Sequence, residues 1–138
     1  MHLKNLIWVA CLTLWFGTAV QGKQPEVRVT GVFSSLEYNR EGGDLLGIEV
    51  FIFYGGGGEY WLLFQESNGE PDTPQLVKAS VSREVIQFTI SESTVSGDGK
   101  VDSGSRTFKG RITKTQIIGK FTDSNETIKL PRKKSYWQ

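Results

Sequence analysis

From residue 27 onward, apolar and polar residues tend to alternate, and no stretch sustains a helical period. Glycines and clusters of Ser, Asp and Asn interrupt the alternation. Period two is the mark of strands with one buried face, and such punctuation marks turns. Eight strands are predicted, at 27–36, 45–54, 60–65, 75–81, 85–91, 106–113, 116–122 and 127–130.

Two hairpins can be read from mirror symmetry. Phe108, Gly110 and Ile112 are matched by Phe121, Gly119 and Ile117 about a two-residue loop at Lys114-Thr115. Val77, Ala79 and Val81 are matched by Ile90, Phe88 and Ile86 about Arg83-Glu84. Antiparallel pairing sets each apolar residue opposite another on one face. The other face carries Lys78, Ser80, Gln87, Thr89, Lys109, Arg111 and Lys120. One face is therefore buried and the other wet. Gly110 and Gly119 oppose each other on the buried face. There they let the sheet curl, the preferred reading, or leave room for a bulky neighbour.

The run Gly55 to Gly58 lies between two apolar strands. A phosphate loop of the Walker type needs spaced glycines, then Gly-Lys-Ser/Thr and a helix. Here Glu59-Tyr60-Trp61 follows and opens a strand. The run is predicted to be a hairpin tip that uses positive φ, with an anion nest as its other use. The strands beside it are apolar on both faces. Ile48, Val50 and Ile52 stand against Phe51 and Phe53, and Trp61 and Leu63 stand against Tyr60, Leu62 and Phe64. Such strands are usually covered on both sides. The cover is either a second subunit or the chain's own ends, at 23–30 or 131–138.

Eight short antiparallel strands in sequence order can close on themselves and remove exposed edges. The expected fold is an all-β, eight-stranded antiparallel up-and-down (meander) barrel, with a small β-sandwich as the alternative. The tandem hairpins and the strand count resemble the small meander barrels of the lipocalin and avidin type. Segments 38–47 and 131–137 resemble those of small exported bacterial proteins that carry no assigned activity. The barrel resemblance implies a cavity that holds a small ligand.

Composition narrows the chemistry. Lys4 precedes an apolar run from Leu6 to Val20, and Val20-Gln21-Gly22 suits a cleavage site. Residues 1–22 are thus predicted to be a secretory signal peptide, too short for a span of ~20 apolar residues. Residues 23–138 are predicted to form one β-barrel domain, periplasmic or extracellular. The chain has one His, one Cys and one Met, at His2, Cys11 and Met1. All three leave with the leader. That excludes Ser-His-Asp and Cys-His nucleophiles and any imidazole or thiolate metal site. Lys plus Arg is 16 against 15 Asp plus Glu, and loss of Lys4 leaves the remainder neutral. No global field steers nucleic acid. No cofactor, metal, nucleic-acid partner or membrane span after cleavage is expected.

Three weaker features remain. Glu49 among Ile48, Val50 and Phe51 could serve as an acid or base, with Glu37 or Asp44 as partner. Segment 96–104 faintly matches a calcium loop but reads as a polar loop, because Lys100 and Lys109 occupy ligand positions. Arg132-Lys133-Lys134 with Tyr136-Trp137 reads as a tail whose aromatics dock on the barrel.

The leading expectation is an exported, non-enzymatic binding protein. It would hold a small apolar or aromatic ligand in the barrel mouth, with Phe51, Phe53, Tyr60 and Trp61 as contacts. The alternative is a protein–protein module, either a homodimer through the second and third strands or an exported inhibitor.

Overall fold

A computed structural model describes residues 27–138. The predicted leader lies outside the described residues. Nine strands follow in order: β1 Gly31–Ser34, β2 Glu37–Asn39, β3 Asp44–Gly56, β4 Glu59–Gly69, β5 Gln75–Ser82, β6 Val85–Val95, β7 Val101–Ile112, β8 Gln116–Phe121 and β9 Ile128–Pro131. They form one antiparallel sheet in the order β1-β3-β4-β5-β6-β7-β8-β9, with β2 also paired to β3. This is an up-and-down meander of eight strands, nearly closed into a barrel. No helix among the described residues is long and apolar enough to cross a membrane.

The first strand, expected over 27–36, is shorter, with only Gly31–Ser34 in the ladder, and β2 lies beyond its expected end. β1 and β2 both pair with β3 in one unbroken register. At the break, Ser35 N–H donates to the Ile48 carbonyl at 2.8 Å, and the Ser35 hydroxyl accepts from Ile48 N–H at 3.0 Å. The hydroxyl takes the place of a backbone acceptor in the ladder. Gly47 sits beside this pinch at φ +116, where an added Cβ would stand 2.6 Å from the Ser35 carbonyl oxygen.

Both mirror-symmetric hairpins have the expected register. Phe108 faces Phe121, Gly110 faces Gly119 and Ile112 faces Ile117. Ala79 faces Phe88 and Val81 faces Ile86. The β5–β6 ladder ends at Ala79. Beyond it, the Gln75 side-chain amide both donates to Ser91 O (2.8 Å) and accepts from Ser91 N–H (2.9 Å), standing in for a peptide group. The glycine run is a turn. Gly57 and Gly58 have φ of +60 and +83 between the paired residues Gly56 and Glu59. The ladder shifts register between Tyr54 and Gly56.

Segment 96–104 departs from expectation. β6 and β7 stay paired as far as Val95 and Val101, so only the tip between them is a loop. Residues 101–105 are all exposed. This ribbon buries neither face there, so its sequence carries no alternation.

Inward-facing residues fill the barrel. Phe33, Val50, Ile52, Leu62, Ile86 and Ile117 are fully buried. Four phenylalanines pack at the centre. Phe88 stacks on Phe108 at 5.0 Å, and Phe64 and Phe121 meet at 6.3 Å edge to face. Gly110 and Gly119 face the Phe108 ring. A Cβ at Gly119 would fall 2.5 Å from Phe108 Cζ. These glycines make room for the Phe108 ring and for the close approach of the two backbones, in a sheet that curls nearly to closure. One turn of side chains beyond the aromatics, Arg106 lies over the Phe121 ring at 4.2 Å and pairs with Glu66 (2.6 Å) and Glu92. This ion-paired plug caps the apolar core at the end from which the β6–β7 ribbon extends.

The seam between first and last strands is thin. It consists of a bridge from Phe33 to Arg132 and a bond from Lys133 N–H to the Val32 carbonyl at 3.2 Å. The Arg132 guanidinium strengthens it. It donates to Thr30 O (2.7 Å), Lys114 O (2.9 Å) and Arg28 O, and it stacks on Phe33. Burial, and secondly the charge of Arg28, lowers its pKa from that of a free arginine.

Candidate functional site

The outward positions of β3, β4 and β5 carry an apolar row. Val32 pairs with Phe51, Phe51 with Leu63, and Leu63 with Leu76. Register alone puts these four side chains side by side across four strands. Phe51, Leu63 and Leu76 are 47%, 40% and 56% exposed. The next row toward the glycine turn holds Phe53 and Trp61, followed by Lys78. On the other side stand Glu49 and Gln65.

The C-terminal tail lies on this surface. After Lys133 it turns over the outside of β3. The Ser135 hydroxyl donates to Glu49 Oε1 at 2.5 Å, and Tyr136 N–H donates to Glu49 Oε2 at 2.9 Å. Trp137 Nε1–H donates to Gln65 Oε1 at 2.9 Å, while Gln65 Nε2 donates to Asp72 O at 2.9 Å. Glu49 is only 7% exposed although it points outward. Its burial is the work of the tail. Of the tail's three cations, Arg132 and Lys133 direct donors at backbone carbonyls, Lys133 Nζ reaching Leu36 O at 3.3 Å.

Between tail and row lies a groove of about 440 Å³. Val32, Phe51, Leu63, Pro74 and Trp137 supply its apolar walls, and Glu49, Gln65, Ser135 and Gln138 its polar edge. Glu49, Gln65 and Ser135 are already bonded to one another, to the tail or to the backbone. What the groove offers a guest is mainly apolar surface.

No family model matches the chain, and no curated protein or solved structure matches it either. The geometry therefore speaks alone.

Of the four aromatics singled out in the sequence, Phe51 lines the groove. Phe53 packs beside it, ring centroids 5.7 Å apart, on the same outer face. Trp61 is half-buried there against Gly55, where an added Cβ would stand 2.4 Å from its ring. Tyr60 points inward, packs on the core and meets Tyr54 edge to face at 5.5 Å. The four do not converge on one concavity, because Tyr60 has the opposite strand parity. Glu49, Glu37 and Asp44 are not brought together either. Glu37 pairs with Leu46 and Asp44 with Asn39 toward the far end of β3, and both are exposed. No group of three or more potential metal ligands occurs among the described residues. The groove residues that sequence reasoning missed are Val32, Gln65, Pro74, Ser135 and Gln138. The one available signal was the aromatic tail expected to dock.

Proposed function

We propose that the protein is an exported, non-enzymatic binding protein that holds a small apolar or aromatic ligand. The ligand sits in the groove between the outer face of β3–β4 and the C-terminal tail. One observation carries this reading. The groove is walled by Val32, Phe51, Leu63, Pro74 and Trp137, and Glu49, Gln65 and Ser135 on its rim are already hydrogen-bonded. Its volume falls within the ~300–1,000 Å³ common to small-molecule sites. Phenylalanines fill the barrel centre, so this reading keeps only the meander architecture and puts the ligand outside the barrel. Export to the periplasm or exterior rests on the predicted leader at 1–22.

The test is a fluorescence titration with the neutral probe N-phenyl-1-naphthylamine, followed by displacement with a panel of lipids and aromatics. Saturable binding is expected. Phe51→Ala is expected to weaken it by roughly ten- to a hundredfold, the scale of one buried aromatic contact. If neither the probe nor any panel member binds saturably, this reading is wrong.

A second reading follows from the exposure of Phe51, Leu63 and Leu76 in one row: a homodimer through the outer face of β3 and β4. A monodisperse monomer by light scattering at high concentration would remove it.

A further inference from the structure

Among the described residues, Glu49 is the one buried carboxylate on the outer face of the sheet, and its burial needs a reason. An outward carboxylate beside Phe51 would ordinarily stay in water. Here both of its oxygens accept hydrogen bonds from the tail, from the Ser135 hydroxyl and from Tyr136 N–H. Trp137 N–H then donates to Ser135 Oγ at 3.3 Å, which folds the chain so that the indole reaches Gln65. The order of dependence is clear. Glu49 fixes Ser135 and Tyr136, these aim Trp137, and Trp137 becomes a wall of the groove.

We infer that Glu49 is a positioning residue. It latches the tail, and the latched tail completes the groove, so tail docking and ligand binding strengthen each other. This rests on the binding reading above for its ligand half, and on the hydrogen bonds alone for its latch half. Two states are needed, tail docked and tail released, and the ligand distinguishes them because only the docked state presents the Trp137 wall. Linkage is reciprocal: whatever factor docking adds to ligand affinity, the ligand adds to docking. Nothing reacts at Glu49 in this account, so it differs from the acid–base role considered for that residue. The lever is short. Two charge-assisted bonds to Glu49 and the indole's bond to Gln65 hold the last turn of chain, and no large apolar surface holds it independently, since Tyr136 and Trp137 are 41% and 54% exposed.

The experiment uses the protein as recovered from an exporting host. Hydrogen exchange of the Tyr136 and Trp137 amides reads the latch, and N-phenyl-1-naphthylamine titration reads the groove. In Glu49→Gln the amide oxygen faces Tyr136 N–H and the NH₂ faces Ser135, so both bonds lose their charge assistance and the hydroxyl must turn to accept; Ser135→Ala removes one bond while leaving the carboxylate. Both variants are expected to speed exchange at these two amides and to weaken probe binding about tenfold. Saturating probe is expected to slow exchange in the unsubstituted protein by the same factor. Unchanged exchange in both variants overturns the latch. Faster exchange with unchanged probe affinity overturns the coupling and leaves the binding reading intact. If the unsubstituted protein binds no probe or panel member, the binding reading and the coupling both fall. The latch is then judged by exchange alone and stands only if the variants free the two amides. Should Glu49→Gln fail to fold, Ser135→Ala tests the same latch through the same two readouts, since it removes no buried charge.

Discussion

At Gly119 a methyl group would stand 2.5 Å from Phe108 Cζ and equally close to the Lys109 carbonyl oxygen. One of these neighbours is backbone and cannot swing away. Gly119→Ala is therefore expected to destabilise the fold by about 1–3 kcal/mol, the usual range for overpacking, measured by urea denaturation. Truncating the ring itself acts in the opposite sense on volume. Phe108→Ala leaves a hole among Phe88, Phe121 and two glycines that have no side chain to refill it. About 3–5 kcal/mol of lost stability is expected in the same assay. Asp98 offers a pH-dependent counterpart at the ribbon tip. The Ser96 hydroxyl foremost, and then the Lys100 backbone N–H, hold its carboxyl below the ordinary 3.8. A carboxyl depressed in the folded state contributes its stabilisation above the unfolded value and loses it as pH falls through the lower folded value. The Lys100 amide resonance is expected to titrate with a midpoint below 3.8, and a midpoint at or above it would contradict the bond to Ser96.

Among the elements, the legible ones are those with a buried face. The β7–β8 register could be read from Phe108, Ile112, Ile117 and Phe121 because inward residues must oppose inward residues. The β6–β7 ribbon past Ser91 escaped the same logic. Its side chains at 101–105 lie in water, so pairing rests on backbone bonds, which leave no period in the sequence. The break between β1 and β2 escaped it for another reason: one hydroxyl, that of Ser35, replaces a backbone acceptor. The candidate site was the least legible feature. Ser135 reaches Glu49 across 86 positions, and no local pattern encodes a contact between a chain end and the outside of a sheet. The apolar outer positions of β3 did show that something must lie there. At this scale the seam is the weakest element. Arg132→Ala removes three donors to carbonyls and a stacked guanidinium over Phe33. An expected loss of about 1–3 kcal/mol, allowing for water that replaces some bonds, is to be checked by chemical denaturation.

For the whole molecule, the barrel is a support whose centre is packed with apolar side chains. Its centre is phenylalanine, and one end is stoppered by Arg106 between Glu66 and Glu92. The proposed binding falls on the outer surface, where strand register lines up Val32, Phe51, Leu63 and Leu76 and the tail roofs part of the row. The expected separation is testable. Phe88→Ala should lower stability by about 3–5 kcal/mol while leaving probe affinity within about twofold, and Phe51→Ala should do the reverse. A probe that followed the core substitution instead would put the ligand inside.

The thin seam also fixes the order of events in time. Apart from it, the strand-to-strand steps of the meander join neighbours in sequence. Such a chain can zip up from any hairpin with short loops to close. The bridge from Phe33 to Arg132 spans nearly the whole described chain and can form only when the other strands stand in place. It should therefore be absent from the rate-limiting barrier. Arg132→Ala is expected to leave the refolding limb of a chevron unchanged and to accelerate the unfolding limb by the full equilibrium loss. The seam then sets how long a molecule stays folded, not how quickly it arrives.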